Sequence, residues 1–269
     1  MCLLLTIDIG NTNIVFGLFD LDQGQKAPLS HSWRIATTRE RTADEYGLTF
    51  QELFRHRGID LSTVSEIVIA SVVPPLHPVL EVCCQRYFGI NPLWVEPGVK
   101  TGLRVTIDNP NELGADRIVN CVGALERYGA PVIVLDLGTA TTFDVVNENK
   151  EYLGGMILPG IKIAAEALFQ RAARLPRVEI AKPEKLVGRN TVQAMQSGLY
   201  YGGVAQIDGI LERLTQQFPK AAVVSTGGLA KTFSKESKYV QHVEPDLTLN
   251  GLRLIWYNNR KTNQLTVKD

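Results

Sequence analysis

Two largely apolar runs, residues 3–8 and 14–19, stand on either side of the polar stretch Gly10-Asn11-Thr12-Asn13. β-Branched and aromatic residues fill both, so the pattern predicts two strands joined by a turn. Residues 29–35 read as a third strand, which the polar stretch 37–42 ends. From Asp44 to Arg57 apolar residues fall at Tyr46, Leu48, Phe50, Leu53 and Phe54, the spacing of a helix closed by Gly58. Residues 67–73, IVIASVV, form a continuous run without alternation, the mark of a strand buried on both faces, and Pro74-Pro75 stops it. A helix over 78–88 and a short strand over 93–95 follow.

Residues 97–112 are rich in Gly, Pro, Asn and Asp and set the expected boundary between two domains, 1–112 and 113–269. Beyond it the pattern predicts a helix over 115–128, a buried strand over 131–135, and strands continuing through 145–146 and over 152–158. Helices are expected over 161–173, 191–217 and 248–259. Residues 222–226 read as a strand ending in Gly227-Gly228. The order is strand-led α/β, and it repeats. Leu5-Thr6-Ile7-Asp8-Ile9-Gly10-Asn11-Thr12 and Val134-Leu135-Asp136-Leu137-Gly138-Thr139-Ala140 share one plan: apolar strand, Asp-aliphatic-Gly, small polar residues, second strand. Asp8 and Asp136 lie 128 positions apart, about half the chain. A duplication at that spacing points to two similar subdomains facing each other across a cleft.

Charge narrows the partners. The 28 basic residues balance the 28 acidic ones, so no global field draws nucleic acid or an anionic membrane. The apolar run at residues 2–7 is too short for a signal peptide or a membrane span, and Asp8 ends it. Cys2, Cys83, Cys84 and Cys121 show neither metal-ligand nor disulfide spacing, so buried reduced thiols in a cytoplasmic protein are expected.

Each Asp-Gly turn can do chemistry. Gly10 and Gly138 let a ligand approach the main chain, and the amides of residues 10–13 and 138–141 can form anion-binding concavities. An Asp at the strand end repels phosphate but can hold a cation that bridges to it. A single such turn is equally well a decorated hairpin; two that match across half the chain favour a phosphate site. Neither carries a P-loop or a dinucleotide fingerprint. Gly227-Gly228 is either a tight strand-to-helix turn or a flat seat for a purine and its ribose. Asp116, just inside a helix start beside Arg117, is either a general base or a carboxylate pairing with the helix dipole.

With these sites in order, the chain resembles the acetate kinase, sugar kinase, Hsp70 and actin superfamily. Asp8-Ile9-Gly10-Asn11-Thr12-Asn13, Gly114-Ala115-Asp116-Arg117 after Asp108-Asn109-Pro110, Asp136–Asp144, Gly188-Arg189-Asn190-Thr191 and Thr42–Gly47 together resemble type III pantothenate kinase over nearly the whole chain. The resemblance implies an α/β fold of two duplicated actin-like (ribonuclease H-like) subdomains with an ATP cleft between them. It implies ATP-dependent phosphorylation of pantothenate, the first step of coenzyme A biosynthesis, by a homodimer using Mg2+ and a monovalent cation, K+ or NH4+. It assigns Asp116 as base. It assigns Asp8, Ile9, Gly10, Asn11, Thr12, Asn13, Ile14, Val15, Thr139, Gly227 and Gly228 to ATP. Gly114, Ala115, Asp116, Arg117 and Thr191 go to pantothenate, whose carboxylate suits the Arg117 guanidinium. Asp136 would hold the monovalent cation, and Asp8 the magnesium, through water.

Ile107 stands where many members have a Tyr against pantothenate. Two other readings stay open: a non-catalytic nucleotide-binding regulator of this fold, and a kinase for another small hydroxy acid. The 191–217 helix carries more apolar surface than a one-sided helix needs, which fits either a dimer face or a helix covered on two sides.

Overall fold

The computed structural model of the chain describes residues 2–263, so the outermost ends of the two expected domains, Met1 and residues 264–269, lie outside the described residues. The chain divides into two compact units. The first takes in the residues up to Leu103, Asp108–Gly123 and the stretch from Leu247 onward; the second takes in Arg104–Ile107 and Ala124–Asp246.

The first unit is built on β1 (Leu3–Ile9), β2 (Asn13–Asp20), β3 (Leu29–Ala36), α1 (Ala43–Arg55), β4 (Val64–Ser71), α2 (His77–Phe88) and β5 (Leu93–Trp94). Its sheet order is β3-β2-β1-β4-β5. β1, the central strand, pairs antiparallel with β2 and parallel with β4, and its apolar residues are buried. α1 starts with a capping box: Glu45 N–H donates to Thr42 Oγ1, and Thr42 N–H donates to Glu45 Oε2 at 2.7 Å. Tyr46, Phe50 and Phe54, spaced by single turns, are buried. Phe50 meets Phe16 edge-on at 4.8 Å, and Phe54 stacks on Trp33 at 5.1 Å. Each such ring contributes about 1.5–3 kcal/mol of burial, which fixes the helix on the sheet.

The second unit holds β6 (Arg104–Val105), β7 (Val132–Leu137), β8 (Ala140–Val146), β9 (Glu151–Pro159), α4 (Ile161–Arg171), α5 (Thr191–Gln217), β10 (Ala222–Thr226), α6 (Ala230–Phe233) and β11 (His242–Val243). Its sheet order is β11-β10-β7-β8-β9-β6. Without β6, this sheet repeats the first in order and in strand direction, with β7 in the place of β1. The duplication read from two short motifs is thus a duplication of topology.

The units differ from the expected 1–112 and 113–269 division at three places. Arg104–Ile107 joins the second unit because Thr106 donates to the Tyr152 carbonyl through both N–H (3.1 Å) and hydroxyl (2.7 Å). α3 (Ala115–Tyr128) starts in the first unit and ends in the second. α7 (Leu247–Asn263) returns to cover β1, β2 and β4. β6, α6 and β11 are two to four residues long, too short for periodicity to reveal.

α3 and α7 meet through glycine. A Cβ on Gly251 would collide with the Val119 carbonyl oxygen, and one on Gly123 would lie 2.8 Å from that of Leu247. Thr248 Oγ1 donates to Asn120 Oδ1 at 2.7 Å. Gly123 and Gly251 are 128 positions apart, as are Asn120 and Thr248, the same offset as Asp8 and Asp136.

Cys83, Cys84 and Cys121 are buried and Cys2 is exposed, all as free thiols; burial pushes the Cys83 thiol up to about 12 and raises Cys84 as well. Among the described residues no helix is long and apolar enough to cross a membrane.

Gly251→Ala is expected to destabilise the protein by about 1–3 kcal/mol through overpacking, read as a lower midpoint of thermal unfolding. Gly209→Ala, whose methyl would meet only an Arg213 guanidinium nitrogen at 3.7 Å, is expected to leave the midpoint unchanged or raise it.

Candidate active site

In the first unit, β1 carries Asp8 to the C-terminal end of the central strand, opposite Val15 on β2 and Ala70 on β4. The carboxylate is half-buried. The chain then turns at Gly10–Asn13, where Gly10 N–H donates to the Asn13 carbonyl at 3.0 Å. A Cβ on Gly10 would stand 3.2 Å from that oxygen, so the tightness of the turn favours glycine. Asn11 and Thr12 are exposed, Asn13 and Val15 are half-buried, and Ile9 and Ile14 are core residues behind the turn.

Asp116 stands near the same end of the same sheet. Ile9 accepts a hydrogen bond from Val72 N–H at 3.0 Å, and a Cβ on Gly114 would lie 3.6 Å from Val72 Cγ1 and 2.6 Å from Asp116 Oδ1. The Asp116 carboxylate thus folds back over Gly114 while Oδ1 accepts from Arg117 N–H at 2.8 Å. Burial raises its pKa above the usual carboxylate range, and the hydrogen bond and charge of Arg117 offset this only in part. Gly114, Ala115, Asp116 and Arg117 are all half-buried, so each keeps an accessible face. A carboxylate with a raised pKa at a strand-end turn is a stronger base than a solvated one.

The second unit repeats the strand-end arrangement. Asp136 is the last residue but one of β7, opposite Thr142 on β8 and Thr226 on β10. Gly138 N–H donates to the Ala140 carbonyl at 3.1 Å, and Thr139 at the tip is exposed. Glycine surrounds the carboxylate. A Cβ on Gly138 would lie 3.2 Å from Asp136 Oδ1, and one on Gly227 would collide with it. Gly227 also has φ +93°, and Leu229 N–H ties the glycine pair to the Leu137 carbonyl at 3.1 Å. Gly228 differs: a Cβ there would meet nothing within 4 Å, and its φ is ordinary, so nothing in the fold demands glycine.

Gly160 was not singled out from the sequence. A Cβ on it would collide with the Thr139 carbonyl, so α4 begins against the 138–139 turn with no side-chain cap on its first amides. Helix amides in that position suit an anion. The sequence signal was a Pro-Gly pair before an apolar helix.

Thr191 lies apart from that group within the unit. It opens α5 after Asn190, whose Oδ1 accepts from Gln193 N–H at 2.9 Å, and lines a cavity of about 660 Å³ with Arg189, Leu168, Met195 and Gly198; no residue of the 136–139 turn or the glycine pair lines it. Ile107 packs its Cγ2 3.7 Å from where a Cβ on Gly154 would be.

Among the described residues no group of three His, Cys, Asp or Glu side chains could hold a metal ion alone. Asp8 and Asp136 each offer one carboxylate. That suits a hard cation whose remaining ligands are water and phosphate oxygens, the usual state of nucleotide-bound magnesium.

Comparisons with known proteins bear on the family and the fold. The sequence pattern of the type III pantothenate kinase family matches residues 4–213. A type III pantothenate kinase from Myxococcus xanthus is 53% identical over 259 residues, covering 96% of this chain and 99% of its own. One from Koribacter versatilis is 50% identical over 268 residues, covering 97% and 98%. Among solved structures, the activator of 2-hydroxyisocaproyl-CoA dehydratase from Clostridium difficile, with bound ADPNP, superposes with a TM-score of 0.58 at 12% identity, covering 99% of this chain and 98% of its own. An ethanolamine utilization protein from Carboxydothermus hydrogenoformans gives 0.53 at 14%, covering 93% and 89%. The structural likeness establishes the fold as two duplicated actin-like units, and half-identity over nearly the full length establishes more: the chain belongs to the type III pantothenate kinase family.

Proposed function

We propose how this kinase carries out its reaction, the ATP-dependent phosphorylation of pantothenate at the head of coenzyme A biosynthesis. Asp116 takes the proton of the pantothenate hydroxyl as that oxygen attacks the terminal phosphorus of ATP and ADP leaves. The carrying observation is the place of Asp116: its carboxylate folds over Gly114, which lies beside Val72 near the strand end that bears Asp8 and the Gly10 turn, and burial raises its pKa.

Arg117 grips the pantothenate carboxylate, aided by the close backbone at Gly114 and Ala115 and the Thr191 hydroxyl. The 10–13 turn and Thr139 contact the phosphates, and Gly228, glycine without structural need, seats the nucleoside beside Gly227. Asp8 would hold magnesium through water and Asp136 a monovalent cation, K+ or NH4+; both supply positive charge against the phosphates.

We place the enzyme in the cytoplasm, as its free thiols favour, and read it as a homodimer. Leu186 and Val187 are 64% and 77% exposed, with Ile163, Leu168 and Val192 also open to solvent. On α5 itself Met195, Leu199, Tyr200, Ile207, Leu211 and Leu214 are buried within the unit, while Gly198 and Gly202 face outward with nothing near them. A second copy covering this face would account for both the apolar residues and the glycines. Val187→Glu is expected to convert the dimer to monomer by light scattering; an unchanged mass would remove this face as the interface.

Coupled ADP release with pantothenate, with and without potassium, tests the reaction, and absence of turnover in both would overturn it. Asp116→Asn is expected to lower turnover by about 10²–10⁴-fold. A raised carboxylate pKa means the folded state binds that proton more tightly. Stability therefore falls as pH rises from the ordinary aspartate range through the raised value, and the cost persists at neutral pH. Asp116→Asn should then melt no lower than the parent at pH 7. The parent's kcat/KM should fall on the acid side at a pH above the ordinary aspartate range, and the variant's residual rate should lack that limb. Asp136→Asn is expected to lose potassium stimulation. Gly228→Val is expected to weaken ATP binding with an unchanged melting midpoint.

A further inference from the structure

Type III pantothenate kinases and the proposed site account for the 10–13 turn but not for the loop that follows β3. That loop, residues 37–42, looks in the sequence like a polar break. In the fold it is bonded to the turn at three points. Thr37 Oγ1 donates to the Gly10 carbonyl at 2.6 Å. Thr37 N–H donates to the Thr12 carbonyl at 3.0 Å. Arg39 Nη2 donates to Asn11 Oδ1 at 3.3 Å. The loop is itself anchored. The buried Tyr46 hydroxyl donates to the Thr38 carbonyl at 2.8 Å and accepts from Thr38 N–H, and Thr42 is held in the α1 capping box.

These bonds have an electrostatic consequence. A turn attracts an anion only if its amides face the ligand and its carbonyls do not. Here the Gly10 and Thr12 carbonyls are taken by Thr37, and the Asn13 carbonyl by Gly10 N–H. Three sources of negative potential are thereby drawn back into the protein. Arg39 acts on the side chain. A guanidinium only donates, so it holds Asn11 by its oxygen and leaves the amide nitrogen, the half that can donate to phosphate, facing outward. Asn11 and Arg39 are both exposed, and neither position is required by the core.

We propose that Thr37 and Arg39 are positioning residues of the phosphate site, the Thr37 hydroxyl by turning the Gly10 carbonyl away from bound phosphates and Arg39 by setting the orientation of the Asn11 amide. This rests on the reading that the 10–13 turn receives the phosphates of ATP. The Thr37 N–H bond continues the β2–β3 ladder by one rung, whereas the Thr37 hydroxyl and Arg39 bonds are made by side chains and meet on the same four-residue turn.

The test is steady-state kinetics on the full chain, varying ATP and pantothenate separately, with Thr37→Val, Thr37→Ser, Arg39→Gln, Asn11→Ala and the Arg39→Gln/Asn11→Ala double variant. Losing a hydrogen bond at such a site is expected to raise the KM for ATP about tenfold in Thr37→Val and several-fold in Arg39→Gln, leaving the KM for pantothenate within about twofold. Thr37→Ser, which restores the hydroxyl, should return the KM for ATP to near the parent value. Because Arg39 acts through Asn11, Arg39→Gln should add nothing further once Asn11 is alanine. An unchanged KM for ATP in both Thr37→Val and Arg39→Gln, or equal rises for both substrates, would overturn the proposal. Thr37→Val lacks the exposed character of Arg39→Gln; if it fails to fold, the Arg39 and Asn11 series alone decides. Asp8→Asn is run alongside. If it too leaves ATP use intact, the reading of the turn as a phosphate site falls; if it impairs ATP use while the Thr37 and Arg39 variants do not, only the positioning role falls.

Discussion

A carboxylate at the end of a fully covered strand constrains everything around it. β1 and β7 are each flanked on both sides by other strands and buried along their apolar residues, yet each has an aspartate as its last residue but one. The charge is tolerable only at the sheet edge, where the chain must turn away at once and nothing bulky can crowd it. Gly10 makes that possible beside Asp8; Gly138 and Gly227 make it possible beside Asp136, where a methyl group would press on the carboxylate oxygen. The polar turn, the glycine pair and the start of α4 against the 138–139 turn all follow from keeping that edge open. The same openness is what the proposed phosphate site requires.

The second organising feature is repetition with one addition. Both sheets have the same order and strand directions, and both present an Asp-Gly turn at the same strand end. The first carries the Asp116 carboxylate near its turn, on a helix whose other end belongs to the second unit. The position of Asp116 depends on how α3 is seated, and α3 is seated on α7 by backbone contact at Gly123 and Gly251. A glycine two turns from Asp116 therefore has more influence on the proposed base than its distance implies.

Much of this was legible in the chain. Asp-aliphatic-Gly between apolar runs, found twice, gave the central strands and their turns, because burial on both faces leaves an unmistakable apolar run. The return of α7 to the first sheet was not legible, since an apolar helix face records that it is covered and not by what. β6 escaped because two residues carry no period, and with it the attachment of residues 104–107 to β9. The equivalence of Gly123 and Gly251 was present as an offset of 128 positions, but an isolated glycine inside a helix pattern reads as a weak spot before it reads as a crossing. The role of Thr37 was hidden for another reason: its partners are main-chain carbonyls, and carbonyls have no identity in a sequence.

The cysteines add a last consequence. All four lie in the first unit, three of them buried, with burial raising the pKa of Cys83 and Cys84, while the second unit has none. Thiol-specific labelling is therefore blind to the half that carries Asp136 and the glycine pair. Beyond the open Cys2, each further label counts an opening of the half that carries Asp8 and Asp116, so the molecule contains its own chemical clock for one unit alone.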